Sequence, residues 1–484
     1  MLNRRAILIG LLATALPVWA EAPLTSQRPL RRGQKVRAPQ ADVAELLAEA
    51  KLGGIVAYVV ANAATGGVIE SNGADLPVPP ASVAKAVTAL FALEKLGPLH
   101  RFTTRVLATG PVVAGVVQGD LVLAGGGDPT LDTDRLGDLV ARLGIKGVTG
   151  RFLVWDGALP AVAEIDADQP EYVGYNASIS GLNLNFNRVN FEWRRSAGDY
   201  RLTMDARGDR FVPLVDMASV RLADREQPLF AFEGGAGRDD WSVARGALGK
   251  DGSRWLPVRH PGLYAGDVCR TLAAAHGVVL PRAEVVAVLP AATLLVQDQS
   301  ADLETILRNM LKFSTNLTAE VVGLAASGLP TLAASGAAMT AWGKDTLGMT
   351  SHFVDHSGLG SASVTSAGDL VRVLVAAKGL KHGHLLRGIL RDVAMRDAAG
   401  KDIPDHPVQV RAKSGTLNFV SGLAGFIQPP GGTELVFAVV CADTARRDAL
   451  PVEQRELPDG GKAWVKRARR LQGRLIARWA GLYA

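Results

Sequence analysis

The sequence predicts an α/β (α+β) protein in which helices and strands from both ends of the chain form one unit and a β-rich region is inserted between them. Three features predict it. Residues 301–325 have helical spacing, with Leu303, Ile306, Leu307, Met310 and Leu311 on one face. Strand-like apolar runs follow at 408–412, 423–427 and 435–442. Between 101 and 290, short β-like runs such as 121–124, 152–155 and 182–185 alternate with Gly and Asp turns, and long helical stripes are few.

The 484 residues are 48% hydrophobic and 21% charged, the values of a folded globular chain. That excludes a disordered or fibrous protein. The one long apolar run is terminal, which excludes a membrane-embedded one. The net charge of +6 invites a nucleic-acid reading, but the charge sits at the ends. Residues 1–41 carry seven basic groups against Glu21, and 462–484 carry seven against none. The body between them is therefore acidic and offers no basic groove with interleaved aromatics.

Residues 1–5 are a short basic stretch, 6–16 an apolar run too short to span a bilayer, and Val18-Trp19-Ala20 a small-residue cleavage pattern. Residues 1–20 are thus a signal peptide and 21–41, with Pro23, Pro29 and Pro39, a leader. A helix is expected over 42–52 with Asp42 as N-cap, then a hairpin of 54–62 and 68–71 around the turn 63–67. Pro77, Pro79 and Pro80 end the extended segment. A helix over 81–96 is closed by Gly97-Pro98. Helix is also expected over 366–396, and a basic helix ends the chain. Export permits disulfides. The two cysteines, Cys269 and Cys441, lie far apart in apolar segments and read as buried free thiols rather than a bridge.

Ser82-Val83-Ala84-Lys85 opens the helix after Pro79-Pro80. Ser and Lys at i and i+3 share a helix face, where a lysine of lowered pKa can activate the hydroxyl. Free N–H groups at the helix start can hold an oxyanion. Ser314-Thr315-Asn316 follows the periodic helix, placing a hydroxyl and an amide two residues apart in a turn. Lys413-Ser414-Gly415-Thr416 ends a strand-like run. Lys413 offers charge for a substrate carboxylate, Ser414 a hydroxyl, and Gly415 room for a ligand backbone. Each motif alone has a plain structural explanation, such as a capping serine or a hairpin glycine.

Together and in this order they resemble the Ser-x-x-Lys, Ser-Asp-Asn and Lys-Thr-Gly signature of penicillin-binding proteins and class A β-lactamases, with Thr315 for Asp and Ser414 for Thr. The stretch from Ser82 to Ser314 is far longer than a compact β-lactamase needs. An insertion there resembles the class C low-molecular-weight penicillin-binding proteins, the DacB-like D-alanyl-D-alanine carboxypeptidase/endopeptidases. Further similar segments are 80–85, the Gly-Asp-Pro turn at 125–131, 175–185, and Asp355-His356-Ser357-Gly358-Leu359, where Gly360 replaces a usual Ser.

The resemblance implies a transpeptidase-like domain (42–100 with 292–484) holding a five-stranded antiparallel sheet between helices. It implies β-rich domains, two of them nested, in the insertion (101–291). It implies that Ser82 is acylated by a terminal D-alanyl-D-alanine peptide or by penicillin, with Lys85 as general base. Ser314 and Lys413 would pass the proton to the leaving amine, and Asn316 would bind the substrate amide. The backbone N–H groups of Ser82 and Thr416 would form the oxyanion hole, with Ser414 and Gly415 beside the substrate. Asp168, by position, is the candidate to meet the substrate's diamino acid.

The glycines 125–127 read as a turn rather than a phosphate loop, because Asp128 follows and no Lys does. His352 with His356 and His382 with His384 lack a third ligand, so no metal or cofactor is expected. The basic tail, 462–484, has an apolar face of Trp464, Ala468, Leu471, Leu475, Trp479 and Leu482. It reads as a helix packed on the sheet, with peripheral membrane contact the other reading. The expected function is an exported, periplasmic serine DD-peptidase acting on peptidoglycan stem peptides. A β-lactamase and a non-catalytic cell-wall or β-lactam binder are the alternatives.

Overall fold

The computed structural model describes residues 42–483 except 197, 236, 398 and 399. The expected signal peptide and leader lie outside the described residues. Inside them, the two ends of the chain build one sheet. Its strands run in the order Arg391–Asp392, Gln409–Leu417, Val420–Gln428, Leu435–Ala442, Ile55–Asn62, Val68–Asn72. All neighbours are antiparallel. The sixth strand, beyond the five expected, is the two-residue Arg391–Asp392, which pairs only with Ala412 and Arg411. The edge of Gln409–Leu417 is therefore open from Lys413 onward.

Helices cover both faces, which is why Leu435–Ala442 is apolar and buried throughout. Val436, Ala438, Val440 and Ala442 face one core, with Ala84–Leu96, Leu303–Phe313, Asn316–Ser327 and Ala367–Ala376. Leu435, Phe437, Val439 and Cys441 face the other, with Val43–Ala50 and Gly461–Leu482. In that second core Trp479 sits against Tyr58 and Phe437 at 5.8 and 6.1 Å between ring centroids. The apolar stripe of the closing helix is thus spent on the sheet, not left for lipid. Its outer arginines pair with acids: Arg474 with Glu49, and Arg478 with Glu70 at 3.2 Å. Among the described residues no single helix is long and apolar enough to cross a membrane.

The middle of the chain forms a five-stranded mixed sheet, in the order Ala283–Val285, Phe152–Trp155, Leu121–Ala124, Thr103–Ala108, Thr293–Gln299. Beside it lie two three-stranded sheets made from residues 188–257 and a small one of two-residue strands. One core joins these elements to the helices Thr133–Ala141 and Pro261–Ala275. Gly125 and Gly126 pack on backbone: an added Cβ would lie 2.3 Å from Gly181 O and 2.2 Å from Thr103 O, respectively. They are close-approach positions of a turn.

Three elements differ from expectation. The β-like run 182–185 forms no strand: Leu182 makes a single bridge to Asp128, and the chain then turns at Asn185–Asn187. The helix foreseen over 366–396 stops at Ala376 and breaks into short turns and Leu386–Ile389. Gly383 is one reason, because a Cβ there would lie 2.0 Å from Ala377 O. The 15-residue helix Pro261–Ala275 had no clear signal. Gly262 and Gly266 dilute its stripe, yet Gly266 lets it approach the sheet, where a Cβ would lie 2.5 Å from Ala283 Cβ. Cys269 and Cys441 are both buried and free. Trp479→Ala removes a fully buried indole and is expected to cost about 3–5 kcal/mol, read as a lower urea midpoint.

Candidate active site

Pro79-Pro80 leads into a tight turn, Ala81–Val83, which continues as the helix Ala84–Leu96. Ala81 is left-handed, with φ +46°, a conformation that costs energy and is seen where function demands it. The turn presents Ser82, half-buried, over Lys85, which is wholly buried one turn on. Lys85 Nζ donates to Ser82 Oγ (2.8 Å), Asn316 Oδ1 (2.8 Å) and Ser357 O (2.9 Å). Its three N–H bonds thus go to three separate segments. Burial lowers its pKa to about 8, against the opposing pull of Glu320 and Asp355.

Ser314 closes the helix Leu303–Phe313 in a left-handed conformation, φ +59°, and Asn316 opens the next, Asn316–Ser327. That reversal turns the hydroxyl and the amide into one cleft. Lys413, also buried, donates to Ser314 Oγ (2.9 Å) and Ser414 O (2.5 Å). Burial pulls its pKa well below the ordinary lysine value, helped by the charges of Lys85 and Arg391. Gly415 passes so near the serine turn that a Cβ would lie 2.8 Å from Ser82 N and 2.9 Å from Val83 N. Only glycine fits, and the strand backbone at 415–416 is brought beside the Ser82 N–H.

A cleft of about 1300 Å3 is lined by Ser82, Ser314, Asn316, Ser414, Thr416 and Asp168, among others. Of the five side chains singled out for catalysis and amide binding, Ser82, Ser314 and Asn316 line it, and the buried Lys85 and Lys413 are hydrogen-bonded to them from beneath. Asp168 is on the same cleft but apart from the serine–lysine pair. It accepts from Ser361 Oγ at 3.0 Å, and its carbonyl is held by Arg455. Asn316 Nδ2 donates to Tyr175 O at 3.1 Å, so the inserted region closes one wall.

Sequence reasoning missed Glu320. It lies one turn after Asn316, wholly buried, and accepts from His356 N (2.9 Å) and Ser357 N (2.8 Å). This orients the Ser357 carbonyl that Lys85 meets. Burial first, and then Asp355, push its carboxyl up to about 8. Asp355 in turn accepts from Gly358 N (3.0 Å) and Gly360 N (2.7 Å), setting the loop against the serine turn. The available signal was a lone acid inside an apolar helix. His356 is buried against Ser335 Oγ at 2.6 Å, and burial holds its pKa down to about 3, so it packs as a neutral ring.

Residues 39–456 match the D-Ala-D-Ala carboxypeptidase 3 (S13) family. The chain belongs to that family. The S13 enzyme is accordingly a DD-carboxypeptidase hydrolase. It is 28% identical over 492 residues to the D-alanyl-D-alanine carboxypeptidase of Actinomadura sp. strain R39, covering 88% of this chain and 86% of that one. It is 28% identical over 456 residues to carboxypeptidase DacB of Mycolicibacterium smegmatis, covering 88% and 84%. Its fold is similar to that of penicillin binding protein 4 (dacB) from Haemophilus influenzae, with a TM-score of 0.69 at 20% identity over 90% of this chain and 100% of that one.

Two outcomes are expected of the S13 enzyme. Gly415→Ala forces the strand off the serine turn and should cut kcat/KM about 100-fold with little loss of fold, measured on a D-alanyl-D-alanine peptide. The Glu320 charge raises the Lys85 pKa. Glu320→Gln therefore lets Lys85 lose its proton more readily, and the rising limb of the kcat/KM–pH profile should move to lower pH.

Proposed function

We propose that the S13 enzyme removes the terminal D-alanine of peptidoglycan stem peptides through an acyl-enzyme on Ser82. The observation that carries this reading is the 2.8 Å contact of Lys85 Nζ with Ser82 Oγ in a site where burial favours the neutral amine. Neutral Lys85 takes the Ser82 proton as Oγ attacks the carbonyl carbon of the D-alanyl-D-alanine bond. The N–H groups of Ser82 and Thr416 hold the tetrahedral oxyanion. The C–N bond then breaks. The departing amine takes a proton from Ser314 Oγ, which regains one from the Lys413 side. The proton that Lys85 took from Ser82 passes across the cleft to refill Lys413, so Lys85 is neutral again. Water then gives Lys85 a proton while attacking the ester carbonyl, and Lys85 returns that proton to Ser82 Oγ as the ester C–O bond breaks.

The open strand edge beyond Ala412 supports this reading, since an extended peptide can add to it as a further strand. Asn316 Nδ2, at the cleft, is the donor for the acyl-side carbonyl, and Ser414 and Gly415 border the leaving residue. Asp168, an exposed carboxylate on the cleft, is the group to meet the free amine of a diamino acid. Penicillin, whose strained amide carries a carboxylate nearby, acylates the same serine. Export by residues 1–20 places the enzyme in the periplasm, where this substrate is found. The division into a catalytic part (42–100 with 292–484) and an inserted part (101–291) belongs to the same reading. Thr293–Gln299 pairs with Thr103–Ala108, which favours an upper edge of the insertion nearer 300.

Intact mass after incubation with a labelled penicillin tests the reading. A slow-clearing adduct, absent in Ser82→Ala and formed about 100-fold or more slowly in Lys85→Ala, is expected. Rapid turnover of the adduct would mark a β-lactamase instead. No adduct at all would overturn the acyl-enzyme.

A further inference from the structure

Residues 449–460 join the short helix Thr444–Asp448 to the closing helix Gly461–Leu482, and Arg455 to Gly460 line the cleft. Two neighbours in this segment reach across to the middle of the chain. Arg455 donates to the carbonyl of Asp168 and to Leu450 O at 3.3 Å, while its own carbonyl accepts from Asn418 Nδ2. Glu456 pairs with Arg254 at 2.7 Å. Arg254 stands on the strand Asp251–Pro257, and its guanidinium lies 4.9 Å from the ring centroids of both Tyr172 and Phe230. A guanidinium held against two ring faces has little freedom left, so Glu456 meets a fixed partner. Glu456 also faces Tyr175: burial, with the Glu456 charge, pushes that hydroxyl up to about 12.

The loop that carries Asp168 is gripped from behind as well. Arg259 donates to Ala163 O at 2.9 Å and Asn176 O at 3.2 Å, one near each end, and to Glu171 O at 2.5 Å. Asn176 ties the ends together, accepting from Ile165 N at 2.9 Å and donating to Asp166 O at 2.9 Å. Between these anchors Asp168 is exposed. Arg455 takes its carbonyl and Ser361 Oγ its Oδ2, at 3.0 Å, so backbone and side chain are both placed. Oδ1 has no hydrogen-bond partner among the described residues and keeps its acceptor capacity for a ligand. An exposed carboxylate that is free to move gains little from an ammonium in water. One already placed has lost the freedom that binding would otherwise cost.

We propose that Arg455 and Glu456 are positioning residues that clasp the 163–176 loop and thereby give Asp168 its grip on a free side-chain amine of the substrate. They set which peptides are preferred, and the acyl transfer stays with Ser82 and Lys85. The proposal rests on the reading of Asp168 given above and adds what holds that carboxylate in place.

The test uses two peptides ending in D-alanyl-D-alanine. The preceding residue carries a free side-chain amine in one and the same amine acetylated in the other. The wild-type enzyme should favour the free amine about tenfold in kcat/KM, and Asp168→Asn should bring that ratio near one. Arg455→Ala and Glu456→Ala should each lower the ratio about threefold or more, through KM on the free-amine peptide, with kcat/KM on the acetylated one within about twofold of wild type. Arg455→Lys keeps a donor for the carbonyl and should keep most of the ratio. Arg254→Ala added to Glu456→Ala should do no more than either alone, because the two residues make one contact. An unchanged ratio in Arg455→Ala and Glu456→Ala, with the preference lost in Asp168→Asn, overturns the clasp and leaves the Asp168 reading standing. An equal fall of kcat/KM on both peptides marks a merely structural contact and also overturns the clasp. A wild-type ratio near one, or a ratio kept in Asp168→Asn, overturns the Asp168 reading and the clasp together.

Discussion

A lysine amine with no access to water must find a partner for every N–H it keeps. Lys85 does so on three segments far apart in the chain: the serine turn, the start of the Asn316 helix and the 355–359 loop. Those three must converge within hydrogen-bond distance of one atom. The shared core of Ala84–Leu96, Leu303–Phe313 and Asn316–Ser327 makes that convergence possible. Charge has to be balanced as well, because an isolated buried ammonium is prohibitively costly. Glu320 and Asp355 supply the balance, and both are anchored by backbone N–H groups of the loop whose carbonyl Lys85 uses. The same groups that make the fold tolerate Lys85 keep its pKa from falling further.

The other tight places in the structure serve the same convergence. Ala81 and Ser314 both hold left-handed conformations without being glycine. One aims the Ser82 hydroxyl and the other turns a helix end back toward it. Such strain persists only where its surroundings over-determine it. Here the wholly buried central strand on one side and the stacked helices on the other leave the two turns nowhere to relax. Gly415 is the third contact, a strand laid on the serine turn at a distance no side chain permits.

Much of this was readable in the sequence, for local reasons. Ser82 and Lys85 are one turn apart on a helix, so their meeting needs no tertiary information. The 435–442 run is apolar at every position, which only a strand covered on both faces explains. The basic closing helix has a continuous apolar stripe, and the stripe finds the sheet. What was not readable depends on distance in the chain or on burial. Glu320 is a lone acid in an apolar helix, and what it does shows only once that helix is seen to be buried. The Pro261–Ala275 helix hides its periodicity behind two glycines that are there for close packing. Arg391 and Arg469 sit in segments with no motif, and only the sheet and the last helix bring them to Ser414 and Thr416 of the same strand.

The distribution of charge around the cleft ties these points together. Below the serine, the Lys85 charge is opposed by Glu320 and Asp355, whereas Lys413 faces the charges of Lys85 and Arg391. At the strand edge Arg391 and Arg469 stand without an acid within ion-pair distance among the described residues. Lys85 itself is fully bonded and out of solvent reach. The charges of Lys85 and Arg391 both help to depress the Lys413 pKa. The buried layer and the strand edge are thereby linked electrostatically through one strand, Gln409–Leu417, which carries Lys413 on one face and Ser414 and Thr416 on the other.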